Sequence, residues 1–550
     1  MNASMNENNQ LRKLQKEAES IIAQIDDKDC NGSSKIYENQ NKTAREIVDI
    51  LINPNKIITV IIALMQSGKT ALISAILKWY YRFCLSNNIR PISRHNIYVI
   101  TGASSKSWIK QMKGRMPSDL AEKIYHRNQL HKLLEEIRLK TDVLIFIDEC
   151  QIASLESQSI SSIFRNAGWN DKDFLLRNNI KIVEISATPD GTLLDLYAWG
   201  LHGSTIFMQP GKGYCGPFEL LDSNRIFECK ELLLSEKQMR DPKLRYQNLM
   251  AFKEINDVIK TRFKNIQLYH IIRTPNGMKK SNQLILKFKA FFGDNYEYKR
   301  YDQDSEIKHI HDEMKIEPKR HTFIFIKEKL RYSDTLIKIN LGIMYERYTK
   351  NPPSDSTICQ GALGRACGYD DNKITVIFTN ISSIEKYRSL WDSNFDKNNK
   401  WKSNSTKINK NNLTISKGTA FKPENFGIVT NDDIDNNTNE NEPIIEKFKN
   451  WQDARSFVLK NIPKTIDKIN KNPKNINKIG PQNPFTATDS KMKDGFLECT
   501  IRTNRKVYSL EELWCERKCN IDNGAGYSFK YGYKDLSDPK SIEFWILYKI

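Results

Sequence analysis

The chain has 550 residues, with 85 lysines and arginines against 66 aspartates and glutamates, for a formal charge of +19 at neutral pH. At roughly 150 residues per domain this length holds three or four compact units. An apolar fraction of 39% excludes a collagen-like or wholly disordered chain. The longest apolar run, Ile57 to Met65, is about half of a membrane span, and the first residues lack a charged-then-apolar export pattern. A soluble, intracellular protein with no membrane partner is therefore expected. The ten cysteines read as reduced thiols, because they are spread without paired spacing. Cys499, Cys515 and Cys519 lack a fourth ligand at the spacing a zinc finger needs. A strongly basic chain attracts polyanions, nucleic acids above all. Heavy use of Asn, Lys and Ile, as in 394–412, is also what an AT-rich genome produces, so charge alone selects no partner.

In chain order, Leu11, Leu14, Ala18, Ile21, Ile22 and Ile25 recur at helical steps and predict an N-terminal helical extension over 1–35. Over 36–205 the strand candidates Ile57–Ala63, Asn96–Thr101, Val143–Ile147 and Lys181–Ile185 are continuous apolar runs. A parallel sheet buried on both faces requires such runs, and they predict an α/β lobe. Residues 206–262 read as a connecting loop and one long helix from Ser235 to Phe263. A second lobe is predicted over 263–392, with strands Leu268–Arg273, Tyr296–Tyr301, Thr322–Lys327, Leu341–Tyr345 and Ile374–Thr379. The stretch 393–446 is Asn/Lys-rich and then acidic, as solvated linkers are. Residues 447–550 predict a small β-containing accessory domain. Its aromatics, Trp514 and Tyr527–Tyr533 among them, form either a core or a stacking platform for unpaired bases.

The chemistry concentrates at strand ends. Ala63-Leu-Met-Gln66-Ser67-Gly68-Lys69-Thr70 follows a buried strand and opens a helix, the context of a phosphate-binding loop. Lys69 would reach the β/γ oxygens and the Thr70 hydroxyl would hold Mg²⁺. Val143–Ile147 runs into Asp148-Glu149, which places Asp148 to hold Mg²⁺ and Glu149 to deprotonate a water. A third strand ends in Ser186-Ala187-Thr188-Pro189.

These three motifs, in this order, resemble the superfamily 2 helicases and translocases, with their Walker A loop, DExx box and Ser-Ala-Thr motif. The resemblance spans roughly 36–392 and implies two tandem RecA-like lobes that bind ATP and Mg²⁺ between them. It implies that Ser186, Ala187 and Thr188 couple hydrolysis to lobe movement, and that Gln40 reads adenine as the upstream Gln does in many members. It also implies that Thr101, Gly102 and Lys110 grip nucleic acid, with Trp108, Lys113 and Arg115 nearby. In the second lobe, Gln360-Gly-Ala-Leu-Gly-Arg365-Ala-Cys-Gly368-Tyr369 is similar to the family's Gln-to-Gly-Arg motif, with Arg365 as the arginine finger. Two departures stand out: the Gln lies one residue further upstream than usual, and Gly368 replaces a second Arg. The finger role is therefore open to Arg365, Arg347 or Arg331. Arg273 and Lys327, at strand ends, are phosphate-contact candidates, although ion pairs within the domain would explain them as well. The Gly-Arg-x-x-Gly-Tyr variant is similar to helicase-like proteins of large DNA viruses and phages, which implies a host-cell replication compartment or a virion.

The expectation is an ATP- and Mg²⁺-dependent nucleic-acid helicase or translocase, with DNA ahead of RNA as its track. Two rivals remain: a remodelling ATPase that does not unwind, and an ATP-gated nucleic-acid clamp that hydrolyses poorly.

Overall fold

The structure is a computed structural model. It describes residues 2–104, 106–138, 140–153, 155, 158–275, 277–302, 307, 310–327, 336–349, 354–419, 444–462, 465–467, 470, 490–493, 496–499, 527–534, 538 and 541–548. The chain divides into two compact units, residues 1–426 and 427–550.

The first unit contains two six-stranded sheets. In one, β1 (Ile58–Ala63), β2 (Ile97–Thr101), β3 (Ile124–Tyr125), β4 (Val143–Asp148), β5 (Ile180–Ser186) and β6 (Gly203–Met208) stand in the order 3-2-4-5-1-6, and every pair is parallel. In the other, β7 (Ile226–Glu228), β8 (Tyr269–Arg273), β9 (Glu297–Tyr301), β10 (Thr322–Ile326), β11 (Leu341–Tyr345) and β12 (Val376–Thr379) run 7-12-11-8-10-9, again all parallel. This is the layout of two RecA-like α/β lobes in tandem. The continuous apolar strands behave as a doubly covered sheet requires: along β4, Val143, Ile145 and Ile147 enter one core while Leu144 and Phe146 enter another on the opposite face.

Several expected boundaries shift. β6 continues the first sheet past residue 205, and β7 joins the second sheet from inside the stretch read as a connector. The expected Ser235–Phe263 helix is two, Glu236–Met239 and Pro242–Arg262, because Asp241 caps the second with Pro242 at its first position. The N-terminal helix α1 (Asn2–Cys30) is docked, with Ala18, Ile21 and Ile25 buried. Asp26 on it pairs with Lys78 (2.5 Å) and Arg82 (3.0 Å) of α3 (Lys69–Ser86). α2 (Glu38–Leu51) lies between them in the chain and also packs on α3.

The largest correction concerns the stretch read as a linker over 393–446. Its first half is a hairpin, β13 (Thr406–Ile408) against β14 (Thr414–Ser416), with Trp401 buried at its base. Trp401 Nε1 donates to Asp190 Oδ1 (2.7 Å), and Ser405 Oγ accepts from Gly191 N (3.0 Å). Ser416 and Thr419 hydroxyls donate to Asp195 Oδ2 at 2.9 and 2.6 Å. On the other lobe, Lys402 N donates to Asp355 Oδ2 (3.0 Å). The hairpin thus straps the loop after β5 to the second lobe. Polar side chains that look solvated in sequence are here consumed by buried carboxylates.

The second unit carries an antiparallel sheet in which β19 (Ile542–Tyr548) lies between β15 (Ile444–Phe448) and β18 (Tyr527–Tyr533). A helix over Trp451–Asn461 packs on it, and a separate hairpin pairs β16 (Ser490–Lys493) with β17 (Phe496–Cys499). Tyr527, Phe544 and Ile546 form its core with Ala454 and Val458, so the described aromatics there include genuine core residues. Trp514, Cys515 and Cys519 lie outside the described residues. The described cysteines of known environment are free thiols, and among the described residues no cluster of metal-ligating side chains occurs. No described helix is long and apolar enough to cross a membrane.

Candidate nucleotide site between the lobes

β1 ends at Ala63, and the chain turns through residues 64–68 into α3. Two left-handed residues, Gln66 (φ 56°) and Gly68 (φ 95°), make that turn possible. Side-chain space at Gly68 is filled by the Gln40 amide, so the glycine is required twice over. Ser67 is wholly buried and its hydroxyl donates to Leu64 O (2.7 Å), bracing the loop from within. Gln40 does the same from outside. It is 1% exposed, its Oε1 accepts from Tyr37 N (2.8 Å) and its Nε2 donates to Gly68 O (3.0 Å), so both ends of the expected adenine reader are spent on backbone.

Lys69 and Thr70 open into a cleft of about 440 Å³, shared with Asp148 and Glu149 at the end of β4 and with Gln360 and Arg365 of the second lobe. Lys69 Nζ lies 3.5 Å from Glu149 Oε1. Asp148 is buried, and burial together with the neighbouring Glu149 pushes its carboxyl up to about 6 against the opposing pull of Lys69 and of the Trp108 indole. Trp108 Nε1 donates to Asp148 Oδ2 (2.7 Å), whereas Oδ1 is buried with no hydrogen bond among the described residues. A fixed carboxylate with one oxygen unspent, in a cleft that also holds the Thr70 hydroxyl, has the hard oxygen chemistry that suits Mg²⁺.

Glu149 sits at φ 54°, so the strand ends abruptly and its carboxylate turns into the cleft. Its Oε2 accepts from Gln151 Nε2 (2.7 Å) and, across the lobes, from Gln360 Nε2 (3.1 Å). Gln360 also donates to Thr188 Oγ1 (2.7 Å), and Gln151 Oε1 accepts from Ser186 Oγ (2.6 Å). Ser186 Oγ in turn accepts from Thr188 N (2.9 Å), and Ala187 O accepts from Tyr387 Oη of the second lobe (2.8 Å). The Ser-Ala-Thr turn is therefore held from both lobes.

The departures of the second-lobe motif have local causes. The helix over Asp355–Ile358 widens into a π-turn at Cys359–Leu363 before resuming at Gly364. A π-turn carries one extra residue, which absorbs the upstream shift of the Gln and leaves Gln360 and Arg365 on the same cleft. Arg365 is 3% exposed, and its Nη2 donates to Gln360 O (3.0 Å). Gly368 has φ 139°, and a Cβ there would stand 3.0–3.1 Å from Asp370 Oδ1 and Lys338 Nζ, so an arginine is strained by the backbone and crowded by these neighbours.

The nucleic-acid candidates are dispersed. Thr101 is buried with its hydroxyl accepting from Ala103 N (3.3 Å), and Gly102 is pressed against the Ile152 carbonyl. Lys110 is exposed. Arg273 Nη1 pairs with Glu346 Oε2 (3.1 Å), the intradomain alternative, and Lys327 is half-buried one residue past β10. Arg347 donates its backbone N–H to Glu346 Oε1 (2.9 Å), and Arg331 lies outside the described residues. Sequence reasoning missed Trp108, Gln151 and Tyr387 as partners of the site. For α4 (Lys106–Arg115), the signal was available: Trp108, Gln111 and Arg115 share one helical face, and the last two line the cleft.

No family model matches the chain. An uncharacterized protein of Acanthamoeba polyphaga mimivirus is 26% identical over 371 residues, which cover 64% of this chain and 85% of the viral one. Among solved structures, the DEAD-box helicase Mss116 bound to single-stranded RNA and UDP-BeF aligns over 65% of this chain and 73% of its own. Its identity is 14% and its TM-score 0.40. The Escherichia coli DEAH/RHA helicase HrpB aligns over 63% of this chain and 43% of its own, at 12% identity and a TM-score of 0.36.

Proposed function

We propose that this chain is an ATP hydrolase that couples turnover to movement along nucleic acid, as a helicase or translocase. The reading rests on one contact, the 3.1 Å hydrogen bond from Gln360 of the second lobe to Glu149 of the first, beside Lys69. A residue that orients the base from across a cleft makes hydrolysis conditional on closure. Lys69 and the backbone of residues 66–68 would hold the phosphates, and Thr70 and Asp148 would hold Mg²⁺, which would neutralise charge on the phosphate oxygens. Glu149 orients and deprotonates the attacking water, and Arg365 meets the charge that develops on the transferring group. Loss of the Gln360 and Tyr387 contacts on product release would free the Ser186–Thr188 turn from the second lobe. The basic charge of the chain is compatible with a nucleic-acid track and does not choose between DNA and RNA.

A second reading, a clamp that binds nucleotide and hydrolyses slowly, draws on Glu149 itself: both of its oxygens are engaged, by Lys69 on one side and two amides on the other. Steady-state ATP hydrolysis alone and with single-stranded DNA, duplex DNA and RNA at fixed salt separates the two. Stimulation by one polymer supports the motor and identifies its track. Tight ATP binding with no turnover under any condition, and Glu149→Gln indistinguishable from wild type, would establish the clamp instead.

A further inference from the structure

α4 was read from sequence as a nucleic-acid grip, yet one of its faces belongs to the nucleotide cleft. Trp108 anchors it to Asp148, and Gln111 and Arg115, three and seven residues on, line the same cleft as Lys69 and Thr70. With the Gln111 amide turned so that its oxygen faces the guanidinium, it accepts from Arg115 Nη1 at 2.9 Å and Nη2 at 3.1 Å. The planar fork is thereby held in place on a helix that is itself tied to the candidate Mg²⁺ carboxylate.

Of the other cations that line the cleft, Lys35 is exposed to solvent over the Tyr37 ring, and the buried or half-buried ones are engaged. Lys69 faces Glu149, Lys338 is paired with Asp370, and Arg365 donates to Gln360 O. Arg115 is partly buried and no carboxylate pairs with it among the described residues. Burial weakens its basicity, and no charged neighbour offsets that effect. A desolvated, pre-oriented guanidinium without a counter-ion is costly in an empty cleft, and an anionic ligand removes that cost.

We infer that Arg115 contacts the terminal phosphate of the bound nucleotide from within the first lobe, supplying a second guanidinium where Gly368 leaves the second lobe without one. This rests on the proposed function and deepens it. Arg115 would be a transition-state contact that does not depend on lobe closure, in contrast to Arg365.

The test compares wild type with Arg115→Ala, Arg115→Gln and Arg115→Lys, using ATP turnover and equilibrium binding of ADP and of a non-hydrolysable ATP analogue with Mg²⁺. Arg115→Gln retains an amide for Gln111, and an unchanged melting temperature in it shows that the fold is kept. The expected result is a fall in kcat of roughly tenfold or more in the Ala and Gln variants. Analogue affinity should fall too, with ADP affinity within about twofold of wild type and partial recovery in the Lys variant. Unchanged turnover, or an equal fall in ADP and analogue affinity, would overturn the assignment. If wild type binds both nucleotides but does not turn over, the binding comparison alone decides on Arg115. Wild type that binds neither nucleotide would refute the proposed function and this inference together.

Discussion

Trp401 and Asp190 stand 211 positions apart in the chain and 2.7 Å apart in space, the indole N–H of one donating to a buried carboxylate oxygen of the other. This bond pins the β13–β14 hairpin beside the Ser186–Thr188 turn. Trp401→Ala removes a large buried ring and one of the donors to Asp190, so unfolding stability should fall by about 3–5 kcal/mol. Chemical denaturation measures the loss, and limited proteolysis should show faster cleavage within 397–419.

Asp190 also predicts a pH dependence. Burial pushes its carboxyl up to about 7 in the folded chain, although hydrogen bonds from Trp401 and Ser403 oppose the rise; in the unfolded chain an Asp titrates near about 3.9. Between these values the native state binds the proton more tightly, so this group's stabilising contribution is full below about pH 4 and is lost as pH rises through about 7. Asp190→Asn cannot ionise and keeps an oxygen for the indole. Wild-type stability should therefore fall relative to Asp190→Asn between pH 5 and 7.5, measured as the difference in denaturation midpoints. Parallel curves would show that Asp190 is ionised throughout.

Lys69→Ala should abolish turnover by removing the phosphate contact, and it should weaken ATP binding as well. Glu149→Gln should lower turnover by about a hundredfold or more while ATP binding persists, since it removes the base and leaves the phosphate contacts. Full turnover in either variant rules out the site.

Gln360→Ala leaves Lys69 and Thr70 in place but deletes the donor that spans the lobes to Glu149 and Thr188. Turnover should drop on the order of tenfold with a much smaller change in ATP affinity, because the contact orients the base. A change in affinity alone would make Gln360 a simple binding residue.

Restoring the more usual arginine by Gly368→Arg should reduce stability and should not raise turnover. The backbone at φ 139° strains any side chain, and a Cβ there crowds the adjacent Lys338–Asp370 pair. Thermal unfolding and the ATPase rate check both halves of this expectation. Raised turnover at wild-type stability would show that the cleft had room after all.

What the sequence by itself determined was the α/β character of both lobes and the nucleus of the cleft, Lys69, Thr70, Asp148, Glu149, Gln360 and Arg365, whereas β3, β6 and β7 and the cleft face of α4 were not read from it. Strands such as Leu341–Tyr345 and Val143–Asp148 are continuous apolar runs whose burial on two faces leaves little choice of partner. A parallel sheet sets its ligand-facing groups at the C-terminal strand ends, so Lys69, Asp148 and Glu149 were legible as a group. Only the tertiary structure decided the polar partnerships. Gln40 braces Gly68 in place of an open adenine-facing amide, Arg273 turns to Glu346, and Trp108 serves Asp148. The Asn/Lys-rich stretch after the second lobe is a docked hairpin. Hydrophobic burial is additive and periodic and so is written along the chain, whereas a buried polar group's partner is set by whichever donor the fold brings within about 3 Å, and residues 211 apart carry no mark of that meeting.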